Sequence, residues 1–295
     1  MKLGLGTVQF GQDYGISNQR DKTPINEAVA ILQYAEDKGI DLIDTASLYG
    51  ECENVLGTLL PEQHNFRIIT KSTIYKKEKI SSSNAEDLKI KFHNSLNKLG
   101  ESRLYGLLIH DADDLLVEGG DTLYNVLQEL KKDGLVDKFG VSVYSGEQID
   151  HLLKRYTIDL IQVPVNVFDQ RLINNSYLKR LKEKDIEIHV RSVFLQGLLL
   201  MDTESLHSFF DPIKPILIKY RDFLYSQGLS PIDGAIGFIK GVSEIDYVII
   251  GVDSLVQFIE NVECFSKSYD NSLFDRLKMY SLDDPKYLNP GLWEI

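Results

Sequence analysis

Residues 39–57 read GIDLIDTASLYGECENVLG. Gly39 closes a helix, residues 41–44 form a short apolar strand ending on a carboxylate, and residues 54–60 open the next helix. The same strand-then-helix unit repeats in both directions. Upstream, residues 3–7 read as a strand. Ile25, Ala28, Val29, Leu32 and Ala35 then recur at helical spacing behind Pro24. Downstream, residues 67–70 are a strand, and Leu88, Phe92, Leu96 and Leu99 mark a helix closed by Gly100. Strands at 104–109, 139–143, 160–163, 186–190 and 247–250 follow. Helices at 123–132, 151–155 and 178–184, a long helical region reaching about residue 240, and 255–265 alternate with them. Eight strands alternating with helices in 295 residues fit an eight-stranded (β/α)8 barrel of the TIM type. Residues 1–295 are expected to form one domain, with 268–295 a C-terminal tail over or beside the barrel. A doubly wound sheet is the alternative. Its dinucleotide fingerprint is missing, because GLGTVQFG carries Gln9 where G-x-G-x-x-G asks for its third glycine.

Composition narrows the function classes. The chain is 43% hydrophobic and 26% charged, with a net charge of −12. That acidity is a poor match for nucleic acid, although a local basic pocket for a phosphate remains compatible with it. Cys52 and Cys264 form no CxxC pair, which fits a reducing cytoplasm. No signal peptide is read at the start, no apolar run is long enough to cross a bilayer, and no metal site is expected.

In a barrel of this kind, catalytic groups stand at the C-terminal strand ends. Asp44, Lys71 and His110 end or follow the second, third and fourth strands. At about 4.8 Å per strand they lie within roughly 10 Å of one another. Tyr49 follows Asp44 by one loop and can fold over the same mouth. Each taken alone has an ordinary reading: a turn residue, a packing ring, a solvated charge, a structural histidine. Together they suit protonation of a carbonyl oxygen while hydride reaches its carbon. A nearby ammonium is expected to lower the Tyr49 pKa, Asp44 to balance a buried Lys71, and His110 to orient a substrate oxygen. None of the four can supply hydride, so a nicotinamide cofactor is required.

At these residues the chain resembles the aldo/keto reductase family over nearly its full length. GIDLIDTASLYGECENVLG is similar to that family's second-strand signature, with Asp44, Tyr49, Glu53 and Gly57 in register. SLNKLGESRLYGLLIHDAD, LKKDGLVDKFGVSVY, IDLIQVPVNVFDQ, HVRSVFLQGLL and VIIGVDSLVQFIENV resemble its later strand segments. The resemblance implies a reductase of a small aldehyde or ketone, with a sugar-derived carbonyl as the candidate substrate, that uses NADP(H), with NAD(H) as the other candidate. It implies Tyr49 as general acid, tuned by Lys71 and Asp44, with His110 orienting substrate. It also implies cofactor contacts at Thr7, Asp44, Ser142, Gln162, Ser192, Gly251, Ser254, Gln257 and Asn261. Ser142 and Gln162 would take the nicotinamide carboxamide, and the 251–261 segment the adenosine end, with the helix start near Ser254 offering backbone donors to a phosphate. Arg191 stands where many members carry an aromatic residue, and is expected to stack on the nicotinamide or to bind an anion. Gln257 and the acidic Asp253 stand where many members carry Arg or Lys, which keeps NAD(H) in view. A nucleotide-sensing module on the same fold, a sugar dehydrogenase working in the oxidative direction, and a cofactor-independent barrel are the competing functions. Tyr14, Tyr287 and Trp293 are candidate apolar walls of a substrate pocket.

Overall fold

Eight parallel strands close into a barrel in sequence order: β1 (Lys2–Gly6), β2 (Leu42–Asp44), β3 (Arg67–Lys71), β4 (Leu104–Ile109), β5 (Val136–Ser142), β6 (Leu160–Pro164), β7 (Glu187–Arg191) and β8 (Tyr247–Gly251). The computed structural model describes residues 1–18 and 20–295. β8 closes the circle on β1, with Gly6 opposite Gly251. At the C-terminal rim, Gly6 stands opposite Asp44, Lys71 opposite Leu108, and Ser142 opposite Gln162.

Side chains alternate along each strand, so the barrel has two apolar layers. Leu42, Ile69, Leu108, Leu160, Tyr247 and Ile249 fill the interior as one cluster. A second, larger cluster lies between strands and helices. The Ser82–Leu99 helix illustrates the outer packing. A capping box between Ser81 and Asn84 opens it, and Leu88, Phe92, Leu96 and Leu99 form its buried face. It ends on Gly100 at φ 72°, a left-handed conformation that costs glycine little.

Two element boundaries differ from the sequence reading for identifiable reasons. β5 starts at Val136 rather than 139, because Asp137 and Lys138 continue the ladder with β4 and Lys138 is held by Glu187. The helix expected around 151–155 begins at Gly146, where Ser145 and Gln148 make a capping box. The region after β7 resolves into short 3₁₀ turns and the Lys214–Ser226 and Pro231–Lys240 helices.

Beyond β8 and the Leu255–Ser266 helix, the chain runs through the Asn271–Leu277 helix, which packs on Pro231–Lys240. The last residues return to the mouth. Trp293 meets Phe210 edge-on at 5.0 Å, and Tyr287 lies 5.6 Å from Phe209. Among the described residues no helix is long and apolar enough to cross a membrane.

Candidate active site

Asp44, Lys71 and His110 arrive at the mouth from adjacent strands, and the loop after β2 folds Tyr49 over them. That loop is pinned by close backbone contact. Glu51 N–H donates to Gly11 O, and a Cβ on Gly11 would fall 1.8 Å from Tyr49 O, so no side chain fits there. Lys71 Nζ, 1% exposed, donates to Asp44 Oδ1 at 2.6 Å, Thr45 O at 3.0 Å and Tyr49 Oη at 3.4 Å. The other Asp44 oxygen accepts from Gln162 Nε2 at 2.7 Å. A buried ion pair is tolerable when its remaining lone pairs and protons are met in this way.

The expected lowering of the Tyr49 pKa does not occur. Burial pushes the phenol well above its ordinary range, the Asp44 carboxylate adds to this, and Arg191 opposes. The ammonium meant to lower it sits closer to Asp44 than to Tyr49, so the pair presents little net charge to the phenol. Tyr49 is therefore a neutral hydrogen-bond donor at neutral pH. Burial drives Lys71 below its usual value against the pull of Asp44. Burial, with Lys71 and Arg191, pushes His110 down to about 3, so its imidazole is neutral. Its backbone N–H donates to Ser72 Oγ, its ring stands edge-on to Tyr49 at 5.8 Å, and its Nδ1 is buried without a partner.

Asp44, Tyr49 and His110 line a cavity of about 590 Å³, within the range of small-molecule sites, with Lys71 set behind them. Thr7, Ser142, Gln162, Arg191, Ser192, Gly251, Gln257 and Asn261 also reach its wall. Thr7 uses its hydroxyl to donate to Asp44 O at 2.9 Å. Ser254 is set back from the wall and accepts from Gln257 N–H as the helix cap. Three of the backbone donors expected to cradle a phosphate there are engaged, Gln257 N–H on that cap among them. Asp253 N–H donates to Gln257 Oε1 at 2.8 Å, and Leu255 N–H to Glu27 Oε1 at 2.6 Å.

Arg191 stacks on Tyr144, 4.2 Å from the ring centroid, and donates to Val143 O and Ser192 Oγ, both neutral acceptors. Tyr144 escaped the sequence reading, although its place two residues beyond Ser142 puts it at the β5 mouth. Gln9, noticed only as a missing glycine, is another wall residue, with Oε1 buried and unpartnered. The loop after β7 holds Ser192, Leu195 and Gln196 at φ 61°, 49° and 52°, a costly conformation outside glycine. Gln196 Nε2 ties it to Tyr14 Oη at 3.0 Å, and Tyr14 lines the cavity. Tyr287 and Trp293 do not reach the cavity. They anchor the tail on Phe209 and Phe210, which leaves Pro290 and Gly291 on the wall. Cys52 is no nucleophile: it is buried, its thiol donates to Thr7 O, and burial pushes its pKa up to about 11. Among the described residues no group of His, Cys, Asp and Glu is placed to hold a metal ion.

Residues 2–281 match the model of the family described as "Aldo/keto reductase family". The chain is 27% identical over 205 residues to an aldo-keto reductase of Bacillus subtilis, covering 67% of this chain and 60% of that protein. It is 26% identical over 216 residues to the NADH-specific methylglyoxal reductase of Escherichia coli, covering 67% and 65%. The matched stretch thus spans about six-tenths of the length of these curated relatives. Among solved structures, an aldo-keto reductase from Bacillus halodurans in its holo form superimposes with a TM-score of 0.75 at 20% identity, covering 99% of this chain and 94% of that one. The glycerol dehydrogenase of Gluconobacter oxydans gives 0.74 at 20% identity, covering 98% and 92%. At such identities these structures speak to the fold alone.

Proposed function

The chain belongs to the aldo/keto reductase family, and on that premise we propose that it reduces a small aldehyde or ketone with Tyr49 as general acid. The observation that carries the reading is the triad in which buried Lys71 Nζ bridges buried Asp44 at 2.6 Å and half-buried Tyr49 at 3.4 Å. A nicotinamide cofactor, when bound, supplies the hydride. The mouth suits such a group, because its cavity is walled by buried polar atoms that the chain leaves without partners, among them Gln9 Oε1 and Asp253 Oδ1.

Tyr49 holds its proton because its pKa is raised, and gives it up only when negative charge gathers on the carbonyl oxygen. Lys71 then faces the phenolate as it forms. Asp44 opposes the loss of charge that burial favours at Lys71, and its second oxygen fixes the Gln162 amide. Gln162 Nε2 is committed to Asp44, which leaves its carbonyl oxygen to accept from a carboxamide N–H, with Ser142 opposite it in register. His110, neutral at working pH, orients the substrate oxygen without competing as an acid. Arg191, at the end of β7, and Ser192 after it would hold the cofactor from that side. The tyrosines at positions 14 and 144 give the substrate an amphipathic wall, which suits a sugar-derived carbonyl.

Tyr49→Phe removes the phenolic hydroxyl and with it the proton donor, leaving the ring in place. Turnover of aldehydes should fall about 10²–10⁴-fold while nucleotide binding survives. Retention of wild-type turnover in that variant sinks the assignment.

A further inference from the structure

We propose that the carbonyl substrate of this site carries an anionic group, a carboxylate or a phosphate, and that Arg191 and Tyr14 receive it. The inference rests on the reductase reading above and narrows its substrate class. Among the described residues Arg191 is the one Lys or Arg on the cavity wall. It is half-buried, and its hydrogen-bond acceptors among the described residues are Val143 O and Ser192 Oγ, both neutral. Its guanidinium lies over the Tyr144 ring, 4.2 Å from the centroid, a contact that brings no counter-charge. A guanidinium presents five N–H donors in a planar fork. Those not spent on Val143 and Ser192 remain for a ligand, and a cation taken partly out of water is stabilised by an anion that meets them.

The groups around the reactive end do not cancel this charge. Lys71 and Asp44 neutralise each other across 2.6 Å. Tyr49 and His110 are uncharged, and the Arg191 charge acts on both. The wall's other carboxylates, Asp253 and Glu260, belong to the segment after β8 and form no ion pair with it. Arg191 therefore makes the reactive end positive in a chain whose net charge is −12. Tyr14 supplies a second donor. Its Oη accepts from Gln196 Nε2 at 3.0 Å, which leaves its own proton without an acceptor among the described residues. It lines the same cavity, within reach of the Arg191 charge. A charged fork and a neutral O–H on one wall recognise the oxygens of a carboxylate or phosphate, whereas an uncharged aldehyde leaves the fork unmet.

Steady-state reduction of matched aldehydes at saturating cofactor tests this. Glyceraldehyde 3-phosphate is set against glyceraldehyde, and succinate semialdehyde against its methyl ester, so that each pair differs in one anionic group. In at least one pair the anionic member should show a kcat/KM on the order of 30-fold higher, the size of hydrogen bonds to a charged group. Arg191→Gln should bring that ratio to within about threefold of unity, through a higher KM for the anionic member, and Tyr14→Phe should lower it about fivefold. Both members of a pair use the same cofactor, so its binding cancels from the ratio. A ratio unchanged in Arg191→Gln, with turnover lost equally from both members, assigns the guanidinium to the cofactor alone and overturns the inference. A preference below about threefold in both pairs with the unmodified protein also overturns it, and needs no variant to fold. No turnover of any of these aldehydes with NADPH or NADH would bring down the reductase reading itself, which separates that failure from a preference for neutral substrates.

Discussion

β3 carries Arg67, Ile69 and Lys71 on one face, so a single strand samples the base, the middle and the mouth of the barrel. At the base Arg67 meets Asp41 at 2.7 Å and lies over the rings of Tyr105 and Tyr247. Beside it Glu187 accepts from Tyr105, Lys138 and His189. Burial raises the Glu187 pKa, yet these donors outweigh it and hold the group at about 2. At the mouth Lys71 is paired just as closely, but it also reaches Tyr49, and Arg191 meets only neutral oxygens. Unmet polar atoms alone do not distinguish the ends: His189 Nδ1 and Asp41 Oδ1 lack partners at the base, as His110 Nδ1 does at the mouth. What differs is the size of the space they border. His110, Arg191, Gln9 and Asp253 line the cavity of about 590 Å³, whereas at the base Asp41 borders only a recess of about 130 Å³. The same residue types thus serve cohesion at one end and a ligand at the other, as expected of barrels with their sites at the C-terminal face.

Removing both charges of the mouth pair gives the largest expected effect. Asp44→Asn with Lys71→Met should cut turnover about 10³-fold. Its unfolding free energy, read from urea denaturation, should change by less than about 2 kcal/mol, because replacing a whole buried pair is often neutral. Loss of folding in the double variant would mean that the mouth pair is structural after all, and would break the contrast. Glu187→Gln at the base should do the reverse. Stability should drop by about 2 kcal/mol, because Lys138 loses its partly buried counter-charge and His189 Nε2 a hydrogen-bond partner, with turnover within about twofold. The sign with pH follows from the depressed pKa. The Glu187 contribution is complete above its ordinary value near 4.5 and is lost as pH falls towards 2, so wild type should outlast the variant least in acid. A matching loss of turnover would show the two ends to be coupled.

The barrel and the four mouth residues were legible because both are written in short-range pattern: apolar runs of strand length, and chemistry where each run stops. Tyr144, Gln9 and the Glu27 cap were not. Gln9 follows β1 by three residues and Glu27 lies in the next helix, yet Gln9 meets Gly251 and Glu27 caps the helix after β8, because β8 closes on β1. That contact spans 228 residues for Glu27 and leaves no local trace. The Tyr49 pKa was misread for a different reason. Proximity of an ammonium was visible in the order of strands, but its preference for Asp44 over Tyr49, by 0.8 Å in distance (2.6 against 3.4 Å), depends on side-chain placement. Trp293 and Tyr287 were read as pocket walls and are not, because nothing local says that Phe209 and Phe210 take their rings.

The smallest expected effect concerns the mouth alone. Tyr49 is held above the ordinary phenol range and His110 near 3, so neither changes protonation between pH 6 and 9. Aldehyde reduction needs the protonated phenol and the neutral imidazole, and both persist across that window. Its kcat/KM should therefore vary by less than about threefold from pH 6 to 9 at saturating cofactor. Oxidation of the product alcohol needs the phenolate instead, whose fraction rises about tenfold per pH unit below the pKa, and the rate should climb accordingly. An inflection in reduction near pH 6.5, abolished by His110→Gln, would show His110 titrating in the working range. Its imidazole would then be solvated like an ordinary surface histidine, and the mouth would be far more open to water than the burial of Lys71 and Asp44 allows.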